Sequence, residues 1–477
     1  MSPISLWLNG DTERILRLSK HGRRRGSAVR LRRREMRERL LSSVRPQSAS
    51  GLLTGFTGVI VGTLAAEFIR DWQAELYLKT IAVLVVTIAA MLIVDFSLYR
   101  GVTRRNSGLV PEVKNPFDRA RILQKIVGFY ATIGVIAFAY WVFAVYWGDD
   151  FVEARQIGFF ALPFLIVLGP FYIIYVDARQ EDPNDAYVKV AKLIGGVGPD
   201  DWGVLANHAR SWIVKAFFLP LMVTFLGNDL ANLWLQPVLP VDQNFAGYYE
   251  QLYGLLYMWD VLLSAIGYIL TFRIFGAQIK SAEPTLLGWV VCLLCYPPFY
   301  NAFDGTYFAY DADQLSWGNF FAGIPVLFYL WGTLIIALVG IYVWATISFG
   351  IKFSNLTNRG IITHGPYRWV KHPAYLSKNL SWWMVSVPFL TSGDWQLAVR
   401  SCVALALLNC VYFARAKTEE RHLARDPVYV EYQAYIAEYG LFARLKGLFG
   451  TGGGRMVTAQ NDEAPGASSA ESQSVVK

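Results

Sequence analysis

Charge is scarce in this chain. Only 17% of its 477 residues are Asp, Glu, Lys or Arg, where a soluble domain carries about a quarter. That excludes an ordinary water-exposed globule. Cysteine is scarcer still. Cys292, Cys295, Cys402 and Cys410 are the only four, and all fall in apolar stretches. No disulfide framework follows from them. Cys292 and Cys295 have the spacing of a metal pair, but no second pair accompanies them. They read as buried packing, and no metal site is expected. Histidine occurs five times in the whole chain. No internal repeat is visible. Positive charge is missing from two long loops, since neither 228–250 nor 301–318 contains a Lys or Arg.

What fills the chain instead is apolar: 54% of residues are hydrophobic and 15% aromatic. Crossing a bilayer core takes about 20 mostly apolar residues in a helix. Candidate runs are 52–68, 78–98, 126–147, 157–176, 212–226, 254–275, 286–299, 321–349, 380–390 and 397–413. The last two are closely spaced and suit a helical hairpin. The expected fold is all-α, a polytopic transmembrane bundle of about ten spans. The bilayer is the first expected partner.

Charge placement orients that bundle. Residues 1–50 hold thirteen Lys/Arg against four Asp/Glu, more than the whole chain's net +8. The Arg-rich run is too long for a signal peptide and lacks a small-residue cleavage site. Directly before a first span, such a block sets orientation and touches anionic lipid rather than nucleic acid. Arg100, Arg104, Arg105, Lys114, Arg119 and Arg121 mark the loop after the second span as inside too. The loops without Lys or Arg fall outside, and Lys352, Arg359, Arg368, Lys371 and Lys378 fall inside. Both termini are then cytoplasmic, in an integral, multi-pass membrane protein. A short surface helix is expected around 186–194. Asp182-Pro-Asn-Asp185 lacks the Gly and distant Glu of a calcium loop and reads as a solvated turn. Asp95 and Arg273, near cytoplasmic helix ends, are expected to snorkel to the interface. Asp260 lies inside a span, where charge is expensive and functional by default. Its partner is not readable. From Gly447 the composition turns to Gly, Ser, Ala, Gln and Glu, so 447–477 is expected to be disordered.

One stretch breaks the apolar pattern near the end: Gly365-Pro366-Tyr367-Arg368-Trp369-Val370-Lys371-His372-Pro373-Ala374-Tyr375. It lies between two very apolar segments, with His364 just before it. About forty residues on come Arg415-Ala416-Lys417-Thr418-Glu419-Glu420, then Tyr429, Tyr432 and Tyr435. Pro373 disfavours a helical conformation at His372 and shapes a turn there. Arg415 and Glu419 are four apart and share a helix face. A surface ion pair is the bland reading of that spacing. His364 and His422 read as interfacial histidines without a role. The three tyrosines suit an aromatic belt at the headgroups.

With Gly365-Pro366-Tyr367-Arg368, then Lys371-His372-Pro373-Ala374-Tyr375, then Glu419-Glu420, the chain resembles the isoprenylcysteine carboxyl methyltransferase and phospholipid methyltransferase family of integral membrane enzymes. The resemblance covers about 357–443. It leaves the first 250 residues unexplained. Lys371 stands where the family usually has Arg, and Ser377 where Gly is common. The resemblance implies a methyltransferase that uses S-adenosyl-L-methionine, with the cofactor bound by Tyr367, His372, Pro373, Tyr375, Glu419 and Glu420. Carboxylates suit ammonium or ribose hydroxyls, and tyrosine faces attract a sulfonium. Arg415 is the expected catalytic residue, orienting a lipophilic methyl acceptor that is a carboxylate, a phospholipid amine or a thiol. The division that follows is 1–50 basic segment, 51–245 N-terminal membrane region, 246–446 methyltransferase-like domain and 447–477 tail. Two other readings compete. A membrane sterol-reductase-like enzyme would use NADPH, whose phosphates the two glutamates would repel. A transporter or scaffold is suggested by the extra spans and Asp260, but no pair of Gly/Pro-broken spans recurs in two halves.

Overall fold

The structure, a computed structural model, describes residues 45–449 apart from 144–147, 199, 236–243, 305–306, 312–315 and 391–394. The basic block up to residue 44 and the tail from 450 lie outside the described residues, while 447–449, expected in the tail, continue the helix Leu441–Phe449. The architecture is all-α. In chain order the helices are α1 (Leu52–Ile69), α2 (Leu76–Leu98), α3 (Arg100–Ser107), α4 (Arg119–Val142), α5 (Val152–Asp177), α6 (Ala186–Ile194), α7 (Trp202–Leu235) and α8 (Phe245–Ile269). Then come α9 (Leu286–Leu293), α10 (Asn301–Asp304), α11 (Trp317–Phe321), α12 (Pro325–Phe349), α13 (Pro373–Ser386), α14 (Trp395–Leu423), α15 (Pro427–Tyr439) and α16 (Leu441–Phe449). The predicted surface helix is α6. Two short strands, β1 (Ser281–Ala282) and β2 (Thr357–Asn358), pair antiparallel.

Among the described residues, eight helices are long and apolar enough to cross a bilayer: α1, α2, α4, α5, α7, α8, α12 and α14. Large apolar side chains such as Phe68, Val85, Phe138, Trp141, Phe171 and Val326 face outward from them, as a lipid-solvated surface requires. Two of the ten expected spans take another form. The run 286–299 is helical only to Leu293, because Pro297 and Pro298 lack the amide donors that would continue it. The run 380–390 belongs to α13, which starts earlier at Pro373 and stops where Val387 adopts φ 43°. Its 14 residues rise about 21 Å, short of a bilayer core.

Both segments nevertheless run along the bundle. Phe245 packs on Phe328 at 5.5 Å and Tyr249 on Trp317 at 4.9 Å, so α8 and α12 start at one end. Their other ends meet at Gly267 and Phe353. Helices α8 and α12 are therefore parallel, and the chain between them must return the length of the bundle through α9, α10 and α11. Helix α13 then runs back along α12, with Trp331 Nε1 donating to the Met384 carbonyl at 2.8 Å.

The core centres on α8. Leu262, Leu263 and Ile266 pack with Met91 of α2, Phe218 and Leu226 of α7, and Ile335 and Val339 of α12. In lipid, helices associate by close packing rather than by apolar burial. Gly55 illustrates this, since a Cβ there would fall 1.9 Å from the Ile347 carbonyl oxygen. Only glycine lets α1 approach α12 so closely.

Several charged residues at or near the helix ends are buried. Arg359 donates from Nε to the Ala277 carbonyl, from Nη1 to Gly267 and Phe353, and from Nη2 to Leu270 and Ile351, at 2.7–3.1 Å. It satisfies carbonyls left open where α8 and α12 end. Lys352 donates to the Ala49 carbonyl at 2.7 Å. Asp95 does not snorkel: it is 4% exposed and accepts from Thr54 and Thr103. Asp260 accepts from the hydroxyls of Tyr342 and Thr346. Asp185 does more than turn the chain, capping α6 and pairing with Lys125 at 3.1 Å.

The chain ahead of α1 forms a strap. Ala49 N donates to the Ile361 carbonyl at 2.9 Å, and Thr363 Oγ1 to the Pro46 carbonyl at 2.7 Å. Ser50 Oγ donates to the Ser348 carbonyl at 2.7 Å. The strap fixes the loop that leads into the sequence motif.

Candidate active site

The motif begins where α12 ends. Gly365 has φ +59°, and a Cβ there would lie 2.2 Å from Ser348 Oγ, so this turn needs glycine. Residues Gly365–Arg368 then form one 3₁₀ turn, with Pro366 as its second residue. His372 has φ −128° and ψ 64°, outside the helical region, as the following Pro373 demands. Pro373 then opens α13, where its missing amide donor costs nothing. The backbone turns at His372, and the His372 and Tyr375 rings stack at 5.4 Å with 5° between their planes.

Helices α13 and α14 lie antiparallel and meet in rungs. Tyr375 Oη donates to Glu419 Oε2 at 2.8 Å. Trp382 packs on Tyr412 at 5.3 Å, and Trp383 Nε1 donates to Asn409 Oδ1 at 2.8 Å. Between them, α12 and the 281–296 segment lies a cavity of about 950 Å³, its open mouth included. Tyr367, His372, Tyr375, Arg415 and Glu419 all line it, with Glu283, Tyr296, Tyr342, Asn355 and Lys378.

The two glutamates part company. Glu419 faces the cavity, and its Oε1 has no protein partner among the described residues. Glu420 does not line the cavity. Its Oε1 contacts Lys371 Nζ at 2.7 Å and His372 Nε2 at 3.2 Å, and its Oε2 meets Lys417 Nζ at 3.2 Å. Lys371 thus makes a point-charge contact beside the site, with no forked grip. Pro373 also lies outside the lining. Ser377 is buried, and its hydroxyl donates to the Pro373 carbonyl at 2.8 Å within its own helix.

Arg415 is no surface ion-pair member. It is 7% exposed, its Nη2 donates to Asn355 Oδ1 at 2.6 Å, and the rings of Tyr375, Tyr296 and Tyr412 surround it at 5.1–5.8 Å. Tyr367 is held neutral: burial, with the Glu419 charge nearby, pushes its phenol well above the ordinary range. The tyrosines of α15 close the site from behind. Tyr432 Oη donates to the Tyr367 carbonyl at 2.7 Å, and Tyr429 is buried against Ile361. Tyr435 instead stacks on Tyr439 at 5.3 Å.

Sequence reasoning missed several of these residues. Asn355, Tyr296 and Glu283 carry no motif. His422, read as without a role, lines the cavity, sits 3.8 Å from Glu283 and lies 2.9 Å from Ser281 Oγ. His364 contacts the Ser50 carbonyl at 2.9 Å through Nε2 and so holds the strap. Among the described residues, no cluster of His, Cys, Asp and Glu has the makings of a metal site.

Residues 329–425 match the isoprenylcysteine carboxyl methyltransferase (ICMT) family. The matched segment holds all but the first turn of α12, the motif, α13 and the cavity face of α14. It supports a membrane methyltransferase. No curated protein and no solved structure matches this chain.

Proposed function

We propose that this chain moves a methyl group from S-adenosyl-L-methionine to a lipophilic acceptor. The observation that carries the reading is the convergence of His372, Tyr375, Glu419 and Arg415 on one cavity within the family-matched segment. The lining fits the donor. Glu419 offers a free carboxylate oxygen to an ammonium or a ribose hydroxyl, and Tyr375 fixes the other oxygen. The stacked His372 and Tyr375 rings offer faces to an adenine or a sulfonium. Bound S-adenosylmethionine supplies an electrophilic methyl group.

The protein's task is alignment and exclusion of water. Glu419 and Tyr375 hold the donor end. Arg415, one turn deeper, orients the acceptor's polar group. Its charge is kept in place by Asn355 and by the tyrosine cage rather than by a carboxylate, so it is available to a ligand. Glu420 acts through the motif loop, tying Lys371 and His372 to α14. Both termini face the cytoplasm in this reading.

Calorimetry on purified protein in detergent tests the donor. Heat of binding is expected for S-adenosylmethionine or its demethylated product, and none for NADPH; the reverse pattern would overturn the assignment. Orientation is read separately in intact cells, on a background without native cysteines. A cysteine at exposed Glu112 should resist an impermeant reagent, and one at exposed Asn244 should react.

A further inference from the structure

Helix α16 lies beyond the family-matched segment and runs nine residues, Leu441–Phe449. Its rise of about 13 Å cannot cross a bilayer. It is amphipathic all the same. Leu441, Phe442 and Leu445 are 40%, 64% and 38% exposed, and they fall within about 100° of one another around the helix axis. Arg444 and Lys446, both exposed, stand about 100° to either side of that stripe's centre. Gly447 is on the opposite side, where a Cβ would meet nothing within 4 Å. The helix carries no acid. An apolar stripe between two cations suits the boundary of a bilayer: the stripe enters the acyl edge and the long cationic side chains reach up to lipid phosphates.

The place of α16 in the fold puts it at that boundary. Leu441 N donates to the Trp369 carbonyl at 2.8 Å. The Trp369 ring packs on Trp344 of α12 at 5.7 Å. Trp344 lies five residues before Phe349, where α12 ends, or about 7.5 Å along the axis. The helix therefore starts beside the last turns of a bilayer-long helix, level with two tryptophans, a residue type that settles at headgroup depth. Exposed Arg368 adds a third cation there, its guanidinium 4.0 Å from the centre of the Trp369 ring.

We propose that α16 is an in-plane anchor on the leaflet at the C-terminal end of α12, with Leu441, Phe442 and Leu445 in the acyl boundary and Arg444 and Lys446 on anionic headgroups to either side. The anchor bears on the motif. Tyr432 Oη of α15 donates to the Tyr367 carbonyl at 2.7 Å and lies 3.3 Å from that of Val370, and Leu441 takes the Trp369 carbonyl between them. Gly440 lets the chain pass this close, since a Cβ there would lie 3.0 Å from the Trp369 oxygen. Lipid that seats α16 thus steadies the turn ahead of Lys371 and His372. The anchor does not depend on the identity of the cavity's ligands.

Full-length protein without native cysteines is spin-labelled at Phe442→Cys, Leu445→Cys or Gly447→Cys. It is placed in nanodiscs of phosphatidylcholine, alone or with about a third phosphatidylserine. Collision with oxygen, which concentrates among acyl chains, and with a nickel chelate, which stays in water, reads the depth of each label. Labels at 442 and 445 should favour oxygen, and the label at 447 the chelate. Chelate-dominated relaxation at all three positions would overturn the anchor. Protection of 442 and 445 from both reagents would overturn it too, in favour of a second copy or the 450–477 tail as the cover. In phosphatidylserine discs, changing Arg444 and Lys446 together to Gln should lower the docked-to-undocked ratio, read from the two-component spectrum, about 30-fold. No change on that double substitution, or equal docking in both lipids, would overturn the role of the anionic headgroups. A label replacing exposed Arg368 should gain mobility in Leu445→Asp, and unchanged mobility would overturn the link to the motif. Thermal unfolding checks that each variant keeps its fold, and Phe442→Asp stands in should Leu445→Asp unfold.

Discussion

Changing Glu419 to Gln removes one charge and almost no volume. Tyr375 Oη can still donate to the amide oxygen, so the rung between α13 and α14 should survive. What is lost is the carboxylate's charge-assisted bond to the donor, worth about 1.5–3 kcal/mol, or about 10- to 150-fold in affinity. Glu420→Gln is the matched control. Glu420 is the next residue on α14, yet it points away from the cavity to Lys371, His372 and Lys417. Lys417 is half-exposed and Lys371 partly so, and such pairs contribute about 0–1 kcal/mol each. Glu420→Gln should therefore lower thermal stability modestly and leave donor affinity within about threefold. Calorimetry of S-adenosylmethionine binding without acceptor, with thermal unfolding in the same detergent, separates the two. Equal donor affinity for wild type and Glu419→Gln would refute the reasoning. So would a donor defect confined to Glu420→Gln.

Arg415→Lys keeps the charge but loses the fork, so donor affinity should hold within about threefold while turnover at saturating donor falls about tenfold or more. Arg359→Met strands the buried carbonyls at the ends of α8 and α12, each costing about 1–3 kcal/mol when left unpaired, and should lower the unfolding temperature. Burial holds His364 below its ordinary pKa, so it stays neutral in the folded chain while the unfolded chain protonates below about pH 6.5. Its contribution is fully present above that pH and is lost as pH falls toward the folded value. His364→Gln should flatten the unfolding temperature over that acidic window.

The bundle was legible because lipid leaves a plain mark on composition. Runs of 20 apolar residues have few alternatives. The two segments that departed from it, 286–299 and 380–390, were stopped by local chemistry: Pro297 and Pro298 in one, the left-handed Val387 in the other. The site's outline was legible from Gly365 to Glu420 because polar residues between apolar runs need a reason. The split of Glu419 from Glu420 was not, since adjacent helical positions differ by about 100° and only packing says which one faces inward. Charge counting put Lys352 and Arg359 on one side of the membrane but did not foresee that both are buried, and the snorkelling expected of Asp95 near its helix end is replaced by burial. It registers which side of a membrane a loop favours, not whether a side chain turns back under the helix ends.

The family match begins at residue 329, yet the cavity does not close without what precedes it. Glu283, Tyr296 and Cys292 form one wall, and Asp260 on α8 takes the hydroxyls of Tyr342 and Thr346 behind another. Tyr296 Oη accepts from Asn355, which in turn accepts from Arg415, so a residue outside the match fixes the angle of one inside it. The loop carrying the motif is held from further away. Ser50, Ala49 and Pro46 bond to Ser348, Lys352, Ile361 and Thr363, and α1 presses Gly55 against Ile347. Methyl transfer depends on alignment more than on any strong acid or base. On the proposed function, the described N-terminal helices bear on the site through the position of α12 and of the 361–372 loop, and none of their described residues lines the cavity.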